Sequence, residues 1–409
     1  MKRTLDVYLH HQLTGHLTQD EHGQLGFEYA ANWLDSGGAP LSHSLPLRRG
    51  AFTRNECRGF FAGILPEESK RATIARNLGI SGQNDFALLE CIGGECAGAI
   101  TFVTSGQDLS TSEDVYRRLN DAELAKILRD LPRRPLMAGE EGIRLSLAGA
   151  QDKIAVHVAA GLISVPLGGA PSTHILKPAI AHFEGLVFNE ALCMRLAQAV
   201  GLNVANIRTG KAQDIDYLLV ERYDRRRSAS DALQRLHQED FCQALNIVPE
   251  QKYQNEGGPS LQHCFDLVRE ISTSAVLDLQ SLLDSVIYNN LIGNHDAHGK
   301  NFSLLYSEQS TRLAPLYDLL STVYYPVLAK KMAMKIGGEY ASDKVLPLHF
   351  EKLAVEARFA KPLVKQRVPE IAESVLTKLD EATPVHPVST SVAELIKKRC
   401  QSALTKFRK

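Results

Sequence analysis

The chain has 409 residues, 44% hydrophobic and 23% charged, which is typical of a globular protein and too long for a single core. Its 46 Lys and Arg residues against 47 Asp and Glu residues give a formal net charge of −1, so global basicity does not indicate a nucleic-acid binder. It contains no run of about 18 apolar residues that predicts a membrane span, and its start lacks the apolar centre of a signal peptide.

The seven cysteines are odd in number and scattered. Only Cys91 and Cys96 lie close together, and no second pair stands at the spacing of zinc ligands. We therefore expect free thiols in a reducing cytoplasm, with no structural zinc and no membrane partner.

Residues 1 to about 105 predict short strands separated by turns, because "TLDVYLHHQLTGHL" and "CAGAITFV" have strand-like patterns. Between them "FFAGILPEESKRATIARNLGI" predicts a helix that is started by Pro66, with Pro66 in its first turn and Glu67 and Glu68 at its positive end. A further helix follows, with Asn120 as its cap. The stretch "PRRPLMAGEEG" predicts a subdomain boundary near residue 135.

From residue 143 to about 225 the pattern predicts further strands and one helix, "FNEALCMRLAQAVGL", which is closed by Gly201. After about residue 235 the pattern is mainly helical. The sequence therefore predicts an α+β fold that is β-rich first and mainly helical later, with divisions near residues 135 and 234. This is the outline of a two-lobed nucleotide-binding enzyme.

The stretch "GNHDAHGKNF" contains an aspartate followed by four residues and an asparagine. Phosphoryl transfer from ATP requires a carboxylate for the acceptor hydroxyl and oxygen ligands for magnesium, and protein-kinase catalytic loops supply both at this spacing. Asp296 and Asn301 therefore predict a base and a magnesium ligand, with Lys300 beside the transferred phosphate. The alternatives are a polar turn that ends a helix and a zinc site on His295 and His298, whose i, i+3 spacing disfavours zinc.

Asp318, in "LAPLYDLLST", follows a predicted hairpin with "SEQS" as its turn and precedes a predicted helix. Kinases place a magnesium-binding aspartate after the catalytic loop and one hairpin. The position of Asp318 after Asn301 therefore predicts a second magnesium ligand, and a plain helix cap is the alternative.

Three stretches of the middle region are candidates for contacts with ATP. Lys177 ends the strand "STHILKP", where a kinase lysine touches the phosphates and is sometimes held by a helix glutamate, here Glu190 or Glu184. The small residues of "LSLAGAQDK" allow backbone N–H groups to approach phosphate oxygens, although a plain hairpin turn explains them too. In "LLVERYDRR", backbone groups of residues 221–223 would meet an adenine edge, or the stretch is simply a buried strand with a charged end.

Together these stretches resemble the HipA family, the serine/threonine-kinase toxins of bacterial type II toxin–antitoxin systems. The resemblance runs nearly end to end and rests on the following stretches, in the family's order: "FAGILPE", "SLAGAQDK", "THILK", "NEALCMRLAQAVGLNV", "LLVERYDR", "RLHQEDFCQALNI", "KYQNEGGPS", "DAHGKNFSLL" and "PLYDLLST". It implies a protein-kinase-like fold with a β-rich N-terminal subdomain (1–135), an ATP-binding core (136–234) and an all-helical C-terminal part (235–409). It also implies phosphorylation of a protein serine with ATP and Mg2+. In the best-known members the substrate is glutamyl-tRNA synthetase, and its phosphorylation causes growth arrest and persistence.

By position, the resemblance implies Asp296 as the catalytic base, Asn301 and Asp318 as magnesium ligands and Lys177 as a phosphate contact. It implies a wider set of residues around ATP: Ala148, Gly149, Ala150, Gln151, Asp152, Lys153, Glu221, Arg222, Tyr223, His298, Gly299, Lys300 and Tyr317.

The resemblance alone gives Ser146 a role. The family's serine before the phosphate loop is an autophosphorylation site, and its phosphorylation favours an ejected loop that no longer holds ATP. A dianionic group cannot stay beside nucleotide phosphates, so we expect Arg144 and the arginines of "ERYDRRR" to house it.

The family also acts with a helix-turn-helix antitoxin dimer, through which the toxin binds operator DNA. A basic C-terminal helix provides either phosphate contacts or a solvated face, through Lys397, Lys398, Arg399, Lys406, Arg408 and Lys409. Arg358 lies at a DNA-facing basic position of the family, but Val355 replaces a second basic residue there.

Two small departures from the family pattern are His295, at a position often filled differently, and "QD" in place of "QE" in the phosphate loop. Two other classes of function stay open: a corepressor scaffold with secondary catalysis, and a small-molecule phosphotransferase. The complete family N-terminal region disfavours the phosphotransferase.

Overall fold

The computed structural model describes residues 2–107, 115–228 and 232–407. The chain divides into two compact units. Unit 1 comprises Met1–Pro178, Gly210–Glu250 and Leu305–Ser307, and unit 2 comprises Ala179–Thr209, Gln251–Leu304 and Glu308–Lys409. The domain boundaries at residues 135 and 234 stay predictions.

The described strands are β1 (Arg3–Leu9), β2 (Gln12–Gln19), β3 (Leu25–Tyr29), β4 (Ile100–Thr104), β5 (Val115–Arg118), β6 (Ile154–Ala159), β7 (Leu162–Leu167), β8 (His174–Pro178), β9 (Ile207–Ala212), β10 (Ile215–Glu221), β11 (Arg225–Arg227), β12 (Leu233–Arg235), β13 (His237–Asp240), β14 (Ser303–Tyr306) and β15 (Thr311–Leu313). The described α-helices are α1 (Ala31–Asp35), α2 (Arg54–Gly63), α3 (Glu68–Leu78), α4 (Asp85–Ile92), α5 (Asp121–Asp130), α6 (Leu186–Ala199), α7 (Phe241–Ala244), α8 (Leu261–Ile271), α9 (Ala275–Ile292), α10 (Pro347–Glu356), α11 (Lys361–Ala382) and α12 (Pro387–Phe407).

Unit 1 begins with an antiparallel sheet in the order β3-β2-β1-β4. Alternate residues of β1 are buried on one face, as the period of two in its sequence requires. Helices α2 and α4 pack on this sheet. The ring of Phe61 on α2 lies 5.2 Å from that of Phe27 and 6.0 Å from that of Phe102, so aromatic packing fixes the helix on the sheet.

The second sheet of unit 1 has the order β5-β7-β6-β8-β10-β9. Strand β8 is central and antiparallel to both neighbours, with Leu176 opposite Ile154 on one side and Lys177 opposite Leu218 on the other. Lys177 lies one residue beyond the pairing with β6 and is paired with β10, so the sheet positions its backbone.

Unit 2 is mainly helical and is built around α9, most of which is buried. The Tyr288 hydroxyl donates to the carbonyl oxygen of Cys193 on α6 at 2.6 Å. Asp284 accepts two hydrogen bonds from the Arg367 guanidinium of α11, at 2.7 and 2.8 Å. These bonds to both neighbours fix the end of α9, from which the candidate catalytic loop emerges.

The Pro-started helix predicted in "FFAGILPEESKRATIARNLGI" is α3, which begins at Glu68 just after Pro66. The first residues of this stretch, before Pro66, belong to a separate helix, α2, which the sequence did not predict. One predicted helix differs from the structure. The helix predicted after Asp318 is absent from the described chain there, where only the 3-10 turn Thr322–Tyr324 follows.

Other predictions of local structure are confirmed. Asn120 caps α5 by accepting a hydrogen bond from the Glu123 N–H at 2.9 Å. The hairpin before Asp318 is formed by β14 and β15. The mixed α+β class, sheet-rich first and helical later, is confirmed as well.

In the described residues we find no helix with the length and apolar character needed to cross a bilayer. The seven cysteines are free thiols.

Candidate active site

The candidate catalytic loop begins where α9 ends. Gly293 adopts a left-handed conformation with φ of +73°, which favours glycine and turns the chain out of the helix. A Cβ at this position would lie 2.5 Å from a methyl carbon of Val323. The predicted release of the loop by Gly293 is therefore confirmed.

Asn294, which the sequence reasoning missed, joins the loop to the segment of the predicted metal aspartate. Its Oδ1 accepts a hydrogen bond from the Asp296 N–H at 3.1 Å, and its Nδ2 donates to the Asp318 carbonyl oxygen at 3.2 Å and to Asn289 Oδ1 at 2.8 Å. Asn301 Nδ2 donates to the Asp296 carbonyl oxygen at 2.8 Å. Unit 2 therefore brings Asp296, Asn301 and Asp318 into one hydrogen-bonded group.

Tyr317 makes a second connection between the same segments. Its hydroxyl donates to the Lys300 carbonyl oxygen at 2.8 Å and lies 2.7 Å from the hydroxyl of Ser303. The next residue, Asp318, has a φ of +54°, which is uncommon for a residue other than glycine. Strained conformations of this kind are retained where the surroundings impose them and often at functional sites.

The residues suit a magnesium ion better than zinc. Asn301 donates through its amide nitrogen, so Oδ1 faces away from that bond, and together with the Asp318 carboxylate it offers the oxygen ligands that magnesium prefers. Both ring nitrogens of His295 have protein partners, at 3.0 Å from the Ala329 carbonyl oxygen and 2.6 Å from Ser342 Oγ. Burial lowers the pKa of His295, so its ring is a neutral structural bridge.

The loop buries three consecutive residues, His298, Gly299 and Lys300. The side chains of His298 and Lys300 are therefore packed inside it. The His298 N–H donates to the Asp296 carbonyl oxygen at 2.8 Å. The ring of Tyr253 stands edge-on to the His298 ring at 5.3 Å, and the Tyr253 hydroxyl donates to Asp296 Oδ1 at 2.8 Å. Sequence reasoning quoted the "KYQNEGGPS" stretch but assigned no role to its tyrosine.

The predicted phosphate loop lies in unit 1 and is fastened to the link between α2 and α3. Pro66 and Gly149 form a parallel bridge, and the Glu67 N–H donates to the Gly149 carbonyl oxygen at 3.3 Å. Gly149 has a φ of +102°, a conformation that only glycine adopts readily. The Lys153 ammonium donates to the Ala148 carbonyl oxygen at 2.8 Å and so closes the loop on itself.

Two further contacts hold the loop. The Lys70 ammonium of α3 lies 2.5 Å from a carboxylate oxygen of Asp152, and both side chains are largely buried. The fully buried Ser146 donates its hydroxyl hydrogen to the Ile64 carbonyl oxygen at 3.0 Å. The loop residues Ala148, Ala150 and Gln151 are partly exposed between these anchors.

Lys177 is 5% exposed on β8 in unit 1. The two glutamates considered as its partners, Glu190 on α6 and Glu184 before it, belong to unit 2. The pairing of Lys177 with a helix glutamate stays a prediction.

The candidate adenine segment follows β10. Glu221 is exposed, whereas the Arg222 N–H donates to the Thr173 carbonyl oxygen at 2.9 Å. The Tyr223 hydroxyl donates to Gln238 Oε1. The Arg222 side chain points into a buried ionic cluster, so the adenine contact proposed for it rests on its backbone carbonyl.

That cluster centres on Glu95, which the sequence reasoning missed because a lone glutamate in "CIGGEC" carries no motif. Glu95 contacts Arg222, Arg225 and Arg235, and Arg222 and Arg225 also contact Asp224. Burial favours the neutral acid, but the three guanidinium groups dominate and lower the pKa of Glu95 to about 2. Two of the arginines expected to house a phosphorylated Ser146, Arg222 and Arg225, therefore already have carboxylate partners.

Arg144, another expected host, donates to the carbonyl oxygens of Glu90 and Phe102, both at 2.9 Å. Its guanidinium holds α4 and β4 together in unit 1.

Some basic side chains of the C-terminal helix are held by hydrogen bonds within unit 2. Arg399 donates to the carbonyl oxygens of Asn290 and Leu291 at the end of α9, and Lys406 Nζ donates to the Asp343 carbonyl oxygen. Lys397 and Lys398 are exposed, while Arg408 and Lys409 lie outside the described residues.

Arg358 extends into solvent, 3.4 Å from Asp266, and Val355 is exposed as well.

Comparison with known proteins supports the class of protein that this fold and site indicate. The HipA N-terminal domain matches residues 5–103, and the HipA-like C-terminal domain matches residues 145–383. The chain belongs to the HipA family and has its kinase-like α+β fold.

Individual relatives agree with this assignment. The Sinorhizobium fredii protein named "Putative kinase Y4mE" is 47% identical over 377 residues, covering 91% of this chain and 90% of that protein. The Shewanella oneidensis protein named "Serine/threonine-protein kinase toxin HipA" is 32% identical over 355 residues, covering 84% of this chain and 80% of that protein. Kinase relatives imply the use of ATP, generally with magnesium.

A solved structure matches nearly the whole chain. It is a chain in the Shewanella oneidensis complex of HipA, HipB and operator DNA, with a TM-score of 0.85, 28% sequence identity, and coverage of 99% of this chain and 97% of that chain.

Proposed function

We propose that this chain is the toxin kinase of a type II toxin–antitoxin module, which phosphorylates a protein serine or threonine with ATP and Mg2+. The observation that carries the proposal is the hydrogen-bonded group of Asp296, Asn301 and Asp318 in unit 2, with Asp318 in a left-handed conformation. Phosphoryl transfer is largely a matter of positioning and charge stabilisation, and this group supplies both.

In this mechanism the oxygen of the acceptor hydroxyl forms a bond to the γ-phosphorus of ATP, and Asp296 accepts the proton of that hydroxyl. The bond from that phosphorus to the bridging oxygen breaks, and ADP leaves with the electron pair. Asn301 and Asp318 would hold magnesium, which neutralises phosphate charge when bound. Lys300, buried in the loop, adds a cation near the transferred group.

We propose that residues of unit 1 bind ATP. The backbone of Ala148 to Lys153 would cradle phosphate oxygens, and Lys177 would contact them from its strand. Glu221 to Tyr223 would flank the adenine through backbone groups. Gly149 is bridged to Pro66 in the link between α2 and α3, and Asp152 is paired with Lys70 on α3, which supports a loop that is shaped before nucleotide binds.

We also propose that Ser146 is the autophosphorylation site and that its modification inactivates the kinase. The Ser146 hydroxyl is fully buried and bonded to a carbonyl oxygen, so a phosphoryl group there would place a dianion away from water and against a carbonyl oxygen. Phosphorylation would require the segment to leave its place and would prevent its return. The loop could then no longer hold ATP.

The protein substrate is proposed to be an aminoacyl-tRNA synthetase, with glutamyl-tRNA synthetase as the first to test. Its phosphorylation would stop translation in the cytoplasm and produce growth arrest and persistence. By analogy with the HipA, HipB and operator DNA complex, a helix-turn-helix antitoxin dimer would bind this chain and carry it to operator DNA.

The test uses the purified full chain with labelled ATP and magnesium, alone, with glutamyl-tRNA synthetase and with cell lysate. We expect label on Ser146 and on the synthetase, both lost in Asp296→Asn. Asp380→Asn, which changes an exposed carboxylate of α11, is the matched control and should label normally.

Other results would favour other classes of function. No label on any protein, with antitoxin and operator binding retained, would reject the kinase and favour a corepressor scaffold. Label on sugars or antibiotics without protein label would favour a small-molecule phosphotransferase. Label on a different lysate protein would keep the kinase and replace the substrate.

A further inference from the structure

The carboxylate proposed as the catalytic base is held by a tyrosine from outside its own loop. Tyr253 lies just before the 3-10 turn Gln254–Glu256, more than forty positions from Asp296 in the sequence, and its hydroxyl donates to Asp296 Oδ1 at 2.8 Å. A phenol hydroxyl bonded to a carboxylate makes a charge-assisted hydrogen bond, which is shorter and stronger than a bond between neutral groups.

The tyrosine ring is itself fixed. It stands edge-on to the ring of His298 in the catalytic loop, with 5.3 Å between centroids and an angle of 76°. The ammonium of the buried Lys252 lies 5.3 Å from the centre of the same ring. Aromatic and cation–π contacts of this kind restrict the ring, so the hydroxyl is presented to Asp296 in one direction.

Gln254, the residue after Tyr253, is hydrogen-bonded to the segment around Ala333, which lies downstream of Asp318. The Gln254 N–H donates to the Ala333 carbonyl oxygen at 3.1 Å, and Gln254 Oε1 accepts from the Lys335 N–H at 2.8 Å. The Ala333 N–H in turn donates to the His295 carbonyl oxygen at 2.7 Å. Hydrogen bonds therefore connect Gln254, through Ala333, to His295, which is the residue before Asp296.

Asp296 itself is exposed to solvent. An exposed aspartate rotates freely about its terminal torsion, because that torsion has a broad energy minimum. A hydrogen bond to one oxygen fixes the plane of the carboxylate and leaves the second oxygen for an incoming hydroxyl. Small misplacements of a reacting group have large effects, about 100-fold in rate for 1 Å.

We propose that Tyr253 is a positioning residue for phosphoryl transfer: it holds Oδ1 of Asp296 so that Oδ2 receives the acceptor hydroxyl. Gln254 anchors Tyr253 to the segment around Ala333 and so couples the orientation of the base to that segment. This assignment rests on the proposed kinase function of Asp296.

The kinetic test is Tyr253→Phe, which keeps the ring and its contact with His298 and removes only the hydroxyl. At saturating ATP, we expect labelled-phosphate transfer to glutamyl-tRNA synthetase and to the chain itself to slow about tenfold. The KM for ATP should stay unchanged, and the thermal unfolding temperature should fall by no more than the loss of one hydrogen bond explains. Tyr340→Phe removes a hydroxyl from another tyrosine of unit 2, whose ring lies 4.8 Å from Lys335 Nζ, and should leave the rate unchanged.

A second measurement does not depend on kinase activity. With 13C-labelled aspartate, the side-chain carboxyl resonance of Asp296 is assigned by its loss in Asp296→Asn. We expect this resonance to shift in Tyr253→Phe and to stay in place in Tyr340→Phe.

An unshifted resonance, or an unchanged or faster transfer rate in Tyr253→Phe, would overturn the proposal. If the wild-type chain transfers no phosphate, the kinase proposal fails by itself, and the resonance still decides whether Tyr253 holds the carboxylate.

Discussion

The hydroxyl of Ser146 is bonded to the carbonyl oxygen of Ile64, 82 positions earlier in the chain. This bond, together with that from the Ser146 N–H to the Glu95 carbonyl oxygen at 2.9 Å, sets the entry to the phosphate loop. The N-terminal region of the chain therefore holds the loop from both sides of the serine. Any modification of Ser146 has to break this arrangement.

Ser146→Asp is expected to release the phosphate loop, because it places a charge at a fully buried position next to a carbonyl oxygen. Hydrogen–deuterium exchange should show faster exchange for residues 147–153, with unchanged protection in α9. Ser146→Ala is the control: it loses one hydrogen bond, worth about 1 kcal/mol, but introduces no charge. Equal exchange in the two variants would contradict a role for charge.

Lys70→Met is expected to destabilise unit 1, because it leaves the buried Asp152 carboxylate without its ammonium partner. Breaking one side of a largely buried pair costs about 3 kcal/mol. Trp33, the single tryptophan, lies in unit 1, so its fluorescence during urea unfolding reports this unit. The double variant with Asp152→Asn should recover part of the loss, and a double variant as unstable as the sum of the two single changes would contradict the pairing.

Glu95→Ala is expected to be among the most destabilising changes in unit 1. It removes the carboxylate shared by Arg222, Arg225 and Arg235 and leaves Asp224 beside the first two, and the expected cost is about 3–5 kcal/mol. The control is Glu90→Gln, which breaks the partly exposed ion pair with Arg3 and should cost at most about 1 kcal/mol. Similar losses in both variants, measured by urea unfolding, would argue against the cluster as a stabilising core.

Glu239 gives unit 1 a pH-dependent stability. Its buried carboxyl group accepts hydrogen bonds from the Ser42 hydroxyl at 2.5 Å, the His43 N–H at 3.0 Å and the Tyr306 hydroxyl. Burial raises the pKa of Glu239 to about 7, and the hydrogen bonds offset only part of the effect. The native state therefore binds this proton more tightly than the unfolded chain. The resulting stabilisation is present below pH 4.5 and is lost as the pH rises through 7.

The neighbouring His237 has the opposite effect. Its ring stacks on that of Tyr306 at 5.5 Å, and burial lowers its pKa to about 4, so its contribution grows as the pH rises from 4 to 6.5. Glu239 and His237 change the free energy of unfolding with pH in opposite directions, and Glu239→Gln removes the contribution of Glu239. The free energy of unfolding of the variant minus that of the wild type should rise by about 3 kcal/mol between pH 4.5 and 7. A difference independent of pH, measured by urea unfolding with Trp33 fluorescence, would contradict the raised pKa.

Local features of the site were accessible from the sequence because they depend on neighbouring residues. The spacing of Asp296 and Asn301, the helix end at Gly293 and the hairpin before Asp318 all follow from short-range chemistry, and the family assignment rests on the order of such stretches. The helix start after Pro66 was predicted for the same reason. The bridge between Pro66 and Gly149 was not, because the two residues are far apart in the sequence.

What the sequence alone determined is the α+β class, the HipA family and the residues from which a phosphoryl-transfer site would be made. Only the tertiary structure decided which distant groups hold those residues. Examples are Asn294 between the segments of Asp296 and Asp318, and Tyr253 on the carboxylate of Asp296. The physical reason is that hydrogen bonds and buried ion pairs between residues far apart in the chain leave no periodic trace in the sequence. A lone tyrosine or asparagine therefore gives no signal until the fold brings its partner to it.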